Sequence, residues 1–184
     1  MNDIKTELIA EASRIEESAM WSSQGQFESA KIWTIWNWVS GGVTAICSGV
    51  SGLLTFATDG LQVISGVLAV VAAIFAGVHT VMKPDSRAEI AQKSANEYLD
   101  LQGEARRIKN LGEYFLTDEE YETKLQNLAS VHSSISKRSY PIPYVAYKIT
   151  SWNIRKGRQN YSADEPDNTV NFLDNESASE VYLK

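Results

Sequence analysis

The stretch KIWTIWNWVSGGVTAICSGVSGLLTFATDGLQVISGVLAVVAAIFAGVHTVMK, residues 31–83, decides the fold. Between its terminal lysines it carries a single charged residue, Asp59, in the short connection Thr58-Asp59-Gly60 (residues 58–60). On either side lie two uncharged blocks, residues 32–57 and 61–82. A helix rises 1.5 Å per residue, so the first block would extend ~39 Å, more than the ~30 Å hydrocarbon core of a bilayer. Its opening turns hold Trp33, Trp36 and Trp38, rings suited to the headgroup boundary, and the remainder is long enough to cross. The second block is closed by Lys83 and Pro84.

Two apolar helices can also be the buried centre of a soluble bundle. Glycine decides against that alternative, because seven of the 11 glycines fall between positions 41 and 77. Inside a soluble helix each costs about 1 kcal/mol relative to alanine, whereas in lipid small residues let backbones approach closely. The sequence therefore predicts an all-α chain, a two-helix transmembrane hairpin with long amphipathic or coiled-coil cytoplasmic helices. Lys31 flanks the first span, Lys83 and Arg87 follow the second, and the connection has no Lys or Arg. By the positive-inside bias both the N-terminal and the C-terminal segments are cytoplasmic.

Within the first span Asn37, Ser40, Thr44, Ser48, Ser51 and Thr55 recur every three or four residues and share one stripe. A row of small residues runs beside it through Gly41, Ala45, Gly49 and Gly52. The second span has its own row at Gln62, Ser65, Gly66, Ala69, Ala73, Ala76 and Thr80. Such helices are expected to associate with each other and with copies of themselves. Two readings of the stripe stay open: helix packing, with hydroxyls bonding their own i−4 carbonyls, or the lining of a water-filled pore in an oligomer. No Asp, Glu, Lys or Arg lies inside either span, which argues against a proton-coupled pump. His79, near the cytoplasmic end, is either a pH-responsive gate or an interfacial histidine with a local hydrogen bond.

Outward from the spans the chain reads as amphipathic helix. Residues 1–31 carry Ile4, Leu8, Ala12, Ile15 and Ala19 at helical spacing and are expected to run into the first span. This glutamate-rich lead is unlike the short basic start of a cleaved signal peptide. The region 83–161 begins with a helix whose stripe is Ala88, Ala91, Ala95, Tyr98, Leu101, Ala105, Ile108, Leu111 and Phe115, suited to a helix pair or coiled coil. Thr117-Asp118-Glu119-Glu120 is a capping box for another helix marked by Tyr121, Leu125, Leu128 and Ile135. Pro141 and Pro143 end it, and a short helix from Tyr144 to about Arg158 follows. Residues 162–184 form an acidic tail, expected to be disordered.

From Lys124 to Ala163 there are seven basic residues and no acidic one. Lys137, Arg138, Lys148, Arg155, Lys156 and Arg158 alternate with Tyr140, Tyr144 and Trp152, which suits a solvated face, adhesion to anionic lipid, or a phosphate-bearing ligand. The net charge of −6 argues against a nucleic acid polymer as partner. One cysteine, Cys47, and two histidines give neither a disulfide nor an ordinary zinc site, and no phosphate loop or nucleophile elbow appears. No cofactor is expected, and the chain is read as a non-enzyme.

The helix RIEESAMWSSQGQFESAKIW at residues 14–33, the small-residue hairpin, and the exit KPDSRAEIAQKSANEYLDLQGEARR at residues 83–107 resemble the SLATT family. Its members are two-transmembrane effector domains found beside nucleotide-signalling genes in bacterial defence islands. The resemblance covers the chain to about Trp152; a histidine common in the exit helix of such proteins is missing near Ala91 to Lys93. It implies a homo-oligomeric, multi-pass protein of the bacterial inner membrane that permeabilises the lipid bilayer and arrests growth. Control is then expected from a cyclic or linear oligonucleotide second messenger, or from a separately encoded nucleotide synthase or sensor. A constitutive membrane scaffold and a holin-like lysis protein are the rival expectations.

Overall fold

The computed structural model describes residues 2–57 and 60–156, and every regular element among them is helical. Helix α1 spans Asn2–Ala57, α2 Gln62–Met82, α3 Pro84–Phe115, α4 Asp118–Arg138 and α5 Tyr144–Arg155. The chain divides into two compact units, Met1–Thr150 and Ser151–Lys184. The connection at Thr58 and Asp59, Arg158 and the acidic tail lie outside the described residues.

Helix α1 joins the amphipathic N-terminal segment to the first apolar block without a break. Its 56 residues make a rod of about 84 Å, several times the length of an ordinary globular helix. Gly25, Gly41, Gly42, Gly49 and Gly52 do not interrupt it, and no proline does. Where proline does occur, the helix stops. Pro84 has no N–H and disfavours right-handed helix at the residue before it, so Lys83 turns to φ 44°, ψ 58° and caps α2 through its own N–H to His79 O at 3.0 Å. Pro84 then takes the first position of α3, where a missing donor does no harm.

Three helices form the polar half of the fold. Lys109 meets Glu16 and Arg87 meets Trp33, so α3 runs antiparallel to α1. Lys5–Asp118, Ser18–His132 and Gln26–Tyr140 keep an almost constant offset, so α4 runs parallel to α1. The core between them is Ala12, Ile15 and Ala19 of α1, Tyr98, Leu101, Ala105 and Ile108 of α3, and Tyr121, Leu125, Leu128 and Ile135 of α4. The α3 stripe is thus occupied largely by α1 of the same chain. Alanines at 12, 19, 91, 95 and 105 are almost wholly buried and permit close approach of the two backbones.

The stripe differs from expectation at its end. Leu111 is exposed and Phe115 is 79% exposed, while Gly112 faces inward against the Tyr121 ring. Leu111 lies two consecutive three-residue steps after Ala105, about 120° around the helix from it, whereas Gly112, a full heptad after Ala105, is only about 20° away and takes the inward position.

The expected capping box starts α4. Thr117 Oγ1 accepts from the Glu120 N–H at 3.4 Å, and the Glu120 carboxylate accepts from the Thr117 N–H at 3.0 Å and from its hydroxyl at 2.9 Å. The backbone bond first, then the hydroxyl, holds the Glu120 carboxyl below the usual glutamate range. A depressed carboxyl stabilises the fold at neutral pH and loses that contribution as pH falls through its folded value, below the ordinary carboxylate range. Thr117→Ala is expected to fray the first turn of α4 by about 1 kcal/mol. Amide exchange at residues 118–121 reads this, and the difference from the parent should shrink in acid; equal exchange at neutral pH would contradict it.

Candidate functional site

The two apolar helices meet along hydroxyl groups. Ser51 Oγ donates to Ser65 O at 2.8 Å, Ser65 Oγ donates to Ser51 O at 2.8 Å, and the two hydroxyl oxygens are 3.1 Å apart. Thr55 Oγ1 stands 2.6 Å from Ser65 Oγ and 2.9 Å from Ser51 O. Each hydroxyl has one proton, so the serines exchange theirs reciprocally and Thr55 serves whichever oxygen it faces. Toward the other end Ser40 Oγ lies 2.7 Å from His79 Nδ1 and 2.8 Å from Trp36 O. These pairs make α2 antiparallel to α1 and bury Ser40, Ser51 and Ser65. Interhelical bonds of this kind are worth about 0.6 kcal/mol each in lipid, up to about 2, so they fix register more than they supply stability.

The structure divides the predicted stripe. Thr44 bonds the Ser40 carbonyl and Thr80 the Ala76 carbonyl, both within their own helices. Asn37 is half-buried, while Ser48 and Gln62 are exposed. For Ser40, Ser51 and Ser65 the geometry is that of packing, since their hydroxyls face the partner helix. His79 bonds Ser40 across the two helices.

Four glycines of the small-residue rows do not touch the facing helix, although Ser65 of the second row does. A methyl group placed on Gly41, Gly49, Gly52 or Gly66 would meet nothing within 4 Å. These glycines face away from the seam, and Ala72 is the small residue buried in it. Crossing geometry put the hydroxyls inward and the glycines outward.

At the basic end of the two helices a second cluster forms. The Arg87 guanidinium carbon lies 4.9 Å from the Trp33 ring centre and 5.0 Å from that of Tyr140. At these distances each ring face attracts the cation, by about 0.5–1 kcal/mol at exposed sites. Tyr140 O accepts from Gln26 Nε2 at 2.9 Å. The cluster joins α1, α3 and the segment after α4 beside the Trp33 end of the first apolar block. Sequence reading missed Arg87 here; the signal was a basic residue one turn after a helix-starting proline, beside a tryptophan-rich boundary.

Among the described residues the predicted basic and aromatic side chains have separate surroundings. Arg138 is paired with Glu97 at 2.5 Å and Tyr140 with Arg87. Lys137, Tyr144 and Lys148 are exposed. In the second unit Arg155 is exposed and Lys156 Nζ lies 4.1 Å from the Trp152 ring centre. Away from them, a groove of about 630 Å³ lies between α1 and α4, floored by Ile4, Leu8 and Leu125 and edged by Glu7, Glu11 and Glu122. Among the described residues no three His, Cys, Asp or Glu side chains stand close enough to hold a metal. Set against protein-family models, curated proteins and solved structures, the chain matches none of them.

Proposed function

We propose that the chain is a two-span protein of the bacterial inner membrane. In this reading it oligomerises to permeabilise that membrane and arrest growth, as an effector of anti-phage defence under nucleotide or partner control. The observation that carries the membrane reading is outward apolar surface. Each of the two helices has a long apolar window of which only 11% is buried, with Phe56 91% and Val81 81% exposed. A soluble core helix would bury that surface; leaving a side chain of this size in water forgoes about 1.5–3 kcal/mol. Lipid accommodates it, and the hydroxyls of Ser51, Thr55 and Ser65 find their partners within the seam, as a hydrocarbon surrounding requires.

The effector role is the one the SLATT resemblance implies, and the outward glycine row supports the oligomer it needs. The inward hydroxyls favour one rival in part: a constitutive scaffold requires a packed hairpin and no conducting path. Two measurements separate the readings. An alkaline phosphatase reporter inserted after Asp59 should be active, as periplasmic reporters are, with reporters at Met1 and Lys184 inactive; inactivity at 59 would refute the hairpin. Expression alone, or with its trigger, should collapse the membrane potential of the host. Intact potential under both conditions, with the spans inserted, leaves the scaffold.

A further inference from the structure

Resting on the reading of α1 and α2 as membrane spans, we infer that α5 is a surface anchor. Its outward face, Tyr144, Val145 and Lys148, lies in the headgroup layer of an anionic bilayer beside the basic end of the spans.

Position carries the first part. The segment leading into α5 is pinned to α1 near Trp33 by the Gln26–Tyr140 hydrogen bond and by Arg87 against the Tyr140 and Trp33 rings. Ile142 fills the notch at Gly25, where an added methyl would come within 2.5 Å of its Cδ1. Gly25 is eight residues before Trp33, about 12 Å along the helix. Tyr144 is four residues after Tyr140, so the chain carries it no more than ~14 Å from that ring's backbone. These lengths exceed the roughly 5–8 Å depth of one leaflet's headgroup layer, so they bring Tyr144 within reach of that layer. It is the Arg87 contact with the Tyr140 and Trp33 rings that ties the segment to its level. The fixed φ of Pro141 and Pro143 limits how the chain can leave this level.

Composition carries the second. Ala146 and Thr150, one turn apart, are buried, so α5 turns one side to the protein. The other side presents Tyr144 at 76% and Val145 at 58% exposure, with Lys148 between them on the wheel. A face built for water alone would carry polar groups in place of the ring and the branched aliphatic. Aromatic, aliphatic and basic side chains together are what an in-plane interfacial helix needs. No carboxylate occurs from Lys124 to Ala163 to oppose an anionic leaflet. A soluble phosphate ligand fits less well, because the Arg138 guanidinium is held by Glu97.

The test uses the full chain with Cys47→Ser, reconstituted in vesicles, carrying one cysteine and a bimane probe at position 145, 130 or 67. In vesicles containing phosphatidylglycerol, the probe at Val145→Cys should be quenched by shallow brominated lipid and shielded from aqueous iodide. The probe at Ser130→Cys should behave oppositely. Adding Lys148→Glu changes the charge by two units and should shift α5 from bound to free by roughly thirty-fold, as high salt should also do in part. If position 145 stays as open to iodide as position 130 while the probe at Val67→Cys is lipid-quenched, the anchor is refuted and the spans stand. If Val67→Cys also escapes lipid quenching, the span reading falls and the anchor with it. Shielding of position 145 by inorganic pyrophosphate in neutral vesicles would overturn the proposal in favour of a soluble phosphate ligand.

Discussion

Leu128→Ala is expected to release α4 from the rest of the polar half, lowering its local stability by about 2–5 kcal/mol. Helix α4 is held by one narrow stripe of buried residues, Tyr121, Leu125, Leu128 and Ile135, against α1 and α3. Leu128 is 1% exposed in the middle of that stripe, and truncation leaves a void that neighbours on three helices cannot all collapse into. The polar contacts along α4 do not compensate. Lys5–Asp118 is long and half-exposed, and Arg138 of the Arg138–Glu97 pair is more than half exposed, so each contributes about 0–1 kcal/mol. Hydrogen exchange of α4 amides in the full-length protein should accelerate at least about thirty-fold, the equivalent of 2 kcal/mol, while α2 is unaffected. Ser130→Ala, on the exposed side of the same helix, should stay within about 0.5 kcal/mol of the parent. Equal exchange in the two variants would mean that the stripe does not hold α4.

For the proposed membrane oligomer, Gly49→Leu should abolish self-association and, with it, any depolarisation, at unchanged membrane levels. The substitution leaves the contacts within the chain undisturbed. A side chain at position 49 meets nothing within 4 Å in its own chain, so the α1–α2 seam is untouched, and the helix itself gains about 1 kcal/mol from losing a glycine. What leucine removes is a surface along which a second backbone can approach, one turn from Gly52 on the same side. In-membrane cross-linking and a potential-sensitive dye read the two consequences. Ala72→Leu gives the opposite pattern: its site is buried inside the chain, so it should loosen α2 from α1 even in dilute detergent. Gly49→Leu protein that still cross-links and depolarises would remove the glycine row from assembly.

Much of the architecture was legible in the sequence because it depends on local chemistry. Two uncharged blocks long enough to cross a bilayer, a proline that ends one helix and starts the next, and a Thr-x-x-Glu box each act within a few residues. The observed bounds of α2, α3 and α4 follow from those signals to within about a residue. The long stripe from Ala91 to Ile108 was equally plain, since period alone defines a face.

What needed the tertiary structure was which partner each face meets. The hydroxyl row and the glycine row lie side by side on α1, one residue and 100° apart, and either could have formed the seam. The crossing of α1 with α2 chose the hydroxyls, so Ser51 and Ser65 are inside while Gly49 and Gly52 are outside. In the same way, the basic stretch is continuous in sequence, but Arg138 went to Glu97 on α3 and Tyr140 to Arg87 beside Trp33. Residues far apart in the chain made those choices. Periodicity fixes a face only to within about one residue's rotation, and which half of it is buried depends on where a distant helix happens to cross.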